Sequence, residues 1–180
     1  MKGRAWNLKS FRLYLYHILM LHYQSTRITF AEVPDEISLC IEIAGCTLHC
    51  PGCHSPWLWK DEGQDLTAEE VRKLINQNSG ITCVCFMGGK PEEIENLIKE
   101  LKSCRVKLAW YTGLEENQVH INLKYLSYVK FGPYVAEKGP LNKPTTNQRL
   151  YRIDYNDYGI VRMEDITSRF WHSSVETGQD

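Results

Sequence analysis

The residues best suited to chemistry are Cys46, Cys50 and Cys53, three thiols within eight residues at C-x3-C-x2-C spacing. Three thiolates on one short loop can converge on a metal centre if the backbone turns sharply, and Gly45, Pro51 and Gly52 supply such turns. The number three is informative. Closed iron–sulfur and structural zinc sites take four protein ligands, whereas three thiolates on a four-iron cluster leave one iron open to a substrate. With His54 as a fourth ligand the same stretch also reads as a structural zinc knuckle, and the spacing by itself is also compatible with surface cysteines that bind nothing.

A second candidate follows the apolar run Ile81 to Met87, where Gly88, Gly89, Lys90 and Pro91 stand in succession. Glycines at the end of a strand let a ligand approach the backbone, whose amides and carbonyls can hold a charged amino-acid group. A plain turn is the competing reading. Cys83 and Cys85, inside the run, fall on one face of a strand and read as buried packing residues.

The elements that must position these groups alternate along the chain. Ile37, Leu39, Ile41 and Ile43 have strand periodicity and place the cysteines at a strand's C-terminal end. Ile28, Phe30 and Val33 suggest a short strand before it, with a turn at Pro34 and Asp35. Pro56 to Trp59 follows the cysteines, and its two tryptophans read either as a cover over the loop or as core packing. Thr67 and Glu70 make a capping box for a helix whose apolar face is Val71, Leu74 and Ile75, ended by Asn78 to Gly80. Pro91 opens a second helix with the stripe Ile94, Leu97, Ile98 and Leu101. Strands are expected at Val106 to Thr112 and Tyr128 to Phe131, a weaker helix at Glu115 to Leu126, and a last short strand at Gly159 to Met163. The segment GPYVAEKGPLNKPTTNQRLYRI reads as a long surface loop, of the kind that is often functional. Strand and helix in alternation define an α/β fold with parallel strands and right-handed crossovers.

Composition narrows the class further. The chain has 180 residues, 43% hydrophobic and 24% charged, enough for one well-buried domain. A net charge of -1 gives no general attraction to nucleic acid or to a membrane surface. Seven cysteines, an odd number with three clustered, argue against a disulfide framework and for a reducing cytoplasm. Near the N-terminus a basic stretch precedes the apolar run Leu13 to Leu21, but His17 interrupts the run and it is too short to span a bilayer. Residues 1–22 are therefore expected to be an extension outside the core, with Met20 an alternative start, and residues 173–180 a polar tail.

The cysteine loop, with the local text GCTLHCPGCHSP, resembles the radical S-adenosylmethionine (SAM) superfamily, and within it the glycyl-radical activating enzymes of the anaerobic ribonucleotide reductase type. The segment from Gly132 to Ile153 resembles the same group, and the similarity covers about residues 23–172. It implies a partial, laterally open (β/α) barrel of parallel strands with a 4Fe-4S cluster at the strands' C-terminal mouth, held by Cys46, Cys50 and Cys53. It also implies that Gly52, Cys53 and His54 lie against bound SAM and that Gly88 and Gly89 meet its methionine end. The implied activity is reductive cleavage of SAM to a 5′-deoxyadenosyl radical that takes a hydrogen from a glycine of the large reductase subunit. No catalytic side chain beyond the cluster ligands is then required. The implied partners are that subunit and a one-electron donor such as a flavodoxin, with no nucleic acid and no membrane. An activator of a formate-lyase type enzyme is a second reading, and a zinc-stabilised interaction module a third. One departure stands out, since the superfamily's usual Gly-Gly-Glu-Pro is Gly88, Gly89, Lys90, Pro91 here.

Overall fold

The structure is a computed structural model that describes residues 21–156, 158–159 and 161–171. Of the expected extension over residues 1–22, residues 1–20 lie outside the described residues, as does the tail from 173. Leu21 is buried in the core and His22 opens the first strand, so those two belong to the fold.

Eight strands form one mixed sheet: β1 (His22–Thr29), β2 (Ser38–Ile43), β3 (Gln64–Asp65), β4 (Cys83–Met87), β5 (Lys107–Tyr111), β6 (Tyr128–Phe131), β7 (Arg149–Tyr155) and β8 (Val161–Asp165), in the spatial order β3-β1-β2-β4-β5-β6-β7-β8. The central strands β2, β4, β5 and β6 are parallel. Both flanks are antiparallel, β1 and β3 on one side and β7 and β8 on the other, so the sheet is not built of parallel strands alone. Buried on both faces, β2 and β6 carry continuous burial, as central parallel strands do.

Two helices cover one face, α1 (Ala68–Gln77) and α2 (Pro91–Glu100). Val71, Leu74, Ile94, Leu97 and Ile98 pack there against Leu39, Ile41, Val84, Phe86 and Trp110. The Thr67 hydroxyl caps α1 by accepting from the Glu70 backbone at 3.1 Å. The reciprocal half of the expected capping box is replaced, because the Glu70 carboxylate accepts from Tyr23 and Lys73 instead. The opposite face carries Cys40, Cys83, Cys85, Ala109, Tyr111 and Tyr128, under Val33, Leu150 and Ile166. Cys83 and Cys85 are fully buried, as packing residues should be.

Four local expectations change. The first strand is β1 at His22–Thr29, not a segment reaching Val33; residues 30–33 bend, and Pro34 and Asp35 turn with Asp35 at φ 67. The region from Glu115 to Leu126 holds two 3-10 turns, Glu116–Gln118 and Leu123–Tyr125, instead of a helix. The long loop ends at Gln148, and its last residues form β7. The final strand begins at Val161. No helix among the described residues is long and apolar enough to cross a membrane.

The C-terminal ends of β2, β4, β5 and β6 share one edge of the sheet. They open into the cysteine loop, Gly88-Gly89, Thr112-Gly113 and Gly132-Pro133 respectively, the edge at which open α/β sheets bind ligands.

Candidate functional site

The cysteine loop is anchored at both ends by backbone hydrogen bonds. Ala44 N–H donates to His22 O, Gly45 N–H to Lys60 O and Cys46 N–H to Leu58 O, at 2.9–3.1 Å. Between these anchors the chain turns through left-handed residues at Gly45 (φ 75), His49 (φ 44) and Gly52 (φ 72). A side chain at Gly45 would also press on Asp61, at 3.2 Å. Cys53 N–H closes a turn onto Cys50 O at 3.0 Å, and the Cys53 sulfur accepts from Ser55 N–H at 3.4 Å. All three thiols are free and partly exposed.

The loop leans over the ends of β5 and β6. A side chain at Gly113 would lie 2.5 Å from Leu48 Cδ1 and 3.7 Å from Pro133 Cα, so Leu48 drops into the notch between those strand ends. Tyr134, just past β6, packs edge-on against His54 with ring centroids 5.1 Å apart, and its ring would lie 3.5 Å from a Cβ at Gly52. A cleft of about 120 Å³ runs between the two halves of the site, lined by Cys46, Leu48, Gly88, Gly89, Thr112 and Gly113 among others. Cys46 and the glycine pair thus meet in one cleft. Cys50, Gly52, Cys53 and His54 occupy the part of the loop beside Tyr134 and do not line it.

The glycine pair divides its work. Gly88 (φ 105) donates its N–H to Tyr111 O at 2.9 Å, and its carbonyl accepts the indole N–H of the fully buried Trp110 at 2.7 Å. Both polar groups of Gly88 are therefore engaged with β5. Gly89 (φ 84) lies beside Ile94, where an added Cβ would come within 2.9 Å. The cation that replaces the usual acid turns aside, since Lys90 Nζ pairs with Glu93 at 3.2 Å on the first turn of α2 and its side chain is 58% exposed.

The tryptophans beside the loop do not pack in the core. Trp57 and Trp59 are exposed while Leu58 between them is buried, and Trp59 lies against His49 of the loop, centroids 4.6 Å apart. Three residues close to the site escaped the sequence reading: Trp110, Tyr134 and Lys130. Only Tyr134 carried a signal, its place at the start of the segment expected to form a functional loop.

The donor set fits an iron–sulfur cluster by chemistry. Among the described residues no group of three His, Cys, Asp or Glu side chains is gathered so as to hold a single metal ion. A four-iron cluster makes a different demand, because each thiolate binds its own iron and the sulfurs need not meet at a point. Three accessible thiols, unbridged by disulfides on a loop with three left-handed residues, are donors of the kind such a cluster takes.

The comparisons with known proteins agree with this class. Residues 37–153 match the family of 4Fe-4S single cluster domains, a span that runs from β2 into β7 and includes the cysteine loop and the glycine pair. The chain belongs to that family. Over 84 residues it is also 30% identical to the PqqA peptide cyclase of Bradyrhizobium diazoefficiens, covering 46% of this chain and 22% of that relative. The chain therefore spans less than a quarter of the relative's length. Together these findings support the radical SAM class, with a 4Fe-4S cluster as cofactor. No solved structure matches the chain.

Proposed function

We propose that this chain is a radical SAM activating enzyme that generates a glycyl radical on anaerobic ribonucleotide reductase. The observation that supports the proposal is the shared cleft of about 120 Å³, which the first cysteine of the triad and the glycine pair line together. Cys46, Cys50 and Cys53 would hold the cluster, and the bound cluster and SAM would supply reductive cleavage to a 5′-deoxyadenosyl radical. The chain's own residues bind and orient. Gly89 offers the backbone that meets the amino-acid end of the ligand, and Trp110 fixes Gly88 so that this backbone keeps its course. Gly52 and His54, braced by Tyr134, stand outside this cleft, and in this reading they would lie against the rest of the bound SAM.

In this reading the sheet is one wall of a partial, laterally open barrel, residues 23–172 are the radical SAM domain, and the open side admits a protein substrate. The choice of the reductase rests on the resemblance of the cysteine loop and of the segment from Gly132 to Ile153. A flavodoxin-like donor and a cytoplasmic setting belong to the same reading.

Anaerobic reconstitution tests it. The protein should take up iron and sulfide, cleave SAM to 5′-deoxyadenosine under dithionite, and give the glycyl-radical electron paramagnetic resonance doublet when mixed with the large reductase subunit. A doublet on a formate-lyase type enzyme and none on the reductase would replace the target, and a colourless zinc protein would remove the activity.

A further inference from the structure

Lys130 is a buried cation without an ion-paired acid among the described residues. It sits on β6 in a row of register partners, Glu42, Met87, Tyr111 and Lys130, at the strands' C-terminal edge. Only 8% of it is exposed. Its ammonium donates to Gly132 O at 2.9 Å and lies 5.9 Å from the centre of the Tyr111 ring, and no carboxylate pairs with it among the described residues. Glu42 is engaged by Ser25 and Arg27, Glu32 by Arg27, and the Glu115 side chain accepts from the Gln118 backbone. An ammonium has three protons to place, and a buried charge left uncompensated is costly. Burial pushes its pKa down to about 8, so at neutral pH the charge is largely retained.

The turn to which Lys130 is bonded points to its partner. The ammonium points back to Gly132, and the Gly132-Pro133-Tyr134 turn is the ground on which the cysteine loop rests, through Leu48 beside Pro133 and Gly52 and His54 beside Tyr134. We propose that Lys130 is the fixed cation facing the cluster held by Cys46, Cys50 and Cys53, and that it raises the cluster's reduction potential. This rests on those three cysteines being the ligands. A four-iron cluster with three thiolates is anionic and becomes more so on reduction, so a fixed positive charge favours the reduced form. One electron enters from the external reductant, no bond forms or breaks, and the proton stays on Lys130.

The test is a potentiometric titration of the reconstituted full chain, without SAM, for wild type, Lys130→Met, Lys130→Gln and Lys130→Arg. The Met and Gln variants should be harder to reduce by about tenfold in the reduction equilibrium, which is about 59 mV for a one-electron couple. Arg should restore the wild-type midpoint. In the cluster-free protein Lys130→Met should unfold at the same or a higher temperature than wild type, since an uncompensated buried charge has been removed. An unchanged or higher midpoint in the Met or Gln variant with iron loaded would overturn the inference and leave the cluster ligands standing. Failure of the wild type itself to load iron would overturn the ligand assignment instead.

Discussion

At the scale of single residues, the cysteine triad and the glycine pair stand out in the sequence because residue type and spacing mark them as candidates for chemistry. Replacing any one of Cys46, Cys50 or Cys53 by Ala should leave two thiolates and abolish stable iron binding, measured by iron and sulfide analysis after reconstitution. Cys83→Ala should keep the iron and cost stability alone, since Cys83 is fully buried on the sheet. Lys90→Ala should change SAM affinity little, because the ammonium already pairs with Glu93. Gly89→Val should lose SAM binding. A β-branched residue is strained at φ 84, and its Cβ would push on Ile94 at 2.9 Å. A large loss from Lys90→Ala with none from Gly89→Val in a SAM titration would reverse this assignment. Trp110 and Lys130 were not legible. Each owes its role to a partner on a neighbouring strand or turn, and a single sequence does not state register.

At the scale of elements, apolar stripes found both helices and all four parallel strands. They failed where burial has no regular period. In β7, Leu150 faces the cysteine side of the sheet and Ile153 the helix side, so the strand shows no alternation. In Glu115 to Leu126 the polar residues close short turns of their own. Glu115 and Gln118 cap each other, and the Asn122 side chain accepts from Lys124 N–H at 3.3 Å. The turn before β2 is joined to β5 and β6 by Glu36, which is buried. Its carboxylate accepts from Lys107 and Thr82 at 2.6 Å and from Tyr128 at 2.7 Å. Burial pushes its pKa up, but the hydrogen bonds from Lys107, Thr82 and Tyr128 outweigh this and hold it below the ordinary carboxyl value. The folded pKa being the lower one, Glu36 contributes stability that is fully present above the unfolded carboxyl range and is lost as pH falls through the folded value. Glu36→Gln should cost about 1–3 kcal/mol near neutrality, from urea unfolding, and the difference from wild type should shrink as the medium is acidified. A difference that grows in acid would contradict the sign.

At the scale of the whole molecule, the chain returns from its far end to cover what it laid down first. Ile166 packs against the face that carries Cys40, Cys83 and Cys85, Thr167 Oγ1 accepts from Leu150 N–H at 2.9 Å, and Arg169 pairs with Asp35 at 2.6 Å. The ion pair is half exposed and should matter little, so Arg169→Ala is expected to cost under about 1 kcal/mol. Ile166→Ala should cost more, about 2–5 kcal/mol, because it opens a cavity under a buried face. Equal losses from the two variants in chemical denaturation would show that the closure is electrostatic. The sequence showed none of this closure, because contacts between positions 35 and 169 leave no local pattern. The closure also sets an order on synthesis. While the ribosome is still making β8, the face that holds Cys40, Cys83 and Cys85 lacks the part of its cover that Ile166 supplies, and the loop bearing Cys46, Cys50 and Cys53 has already been made. Thiols that the folded chain buries are then still open to oxidation, so expression under reducing conditions is expected to raise the yield of usable protein.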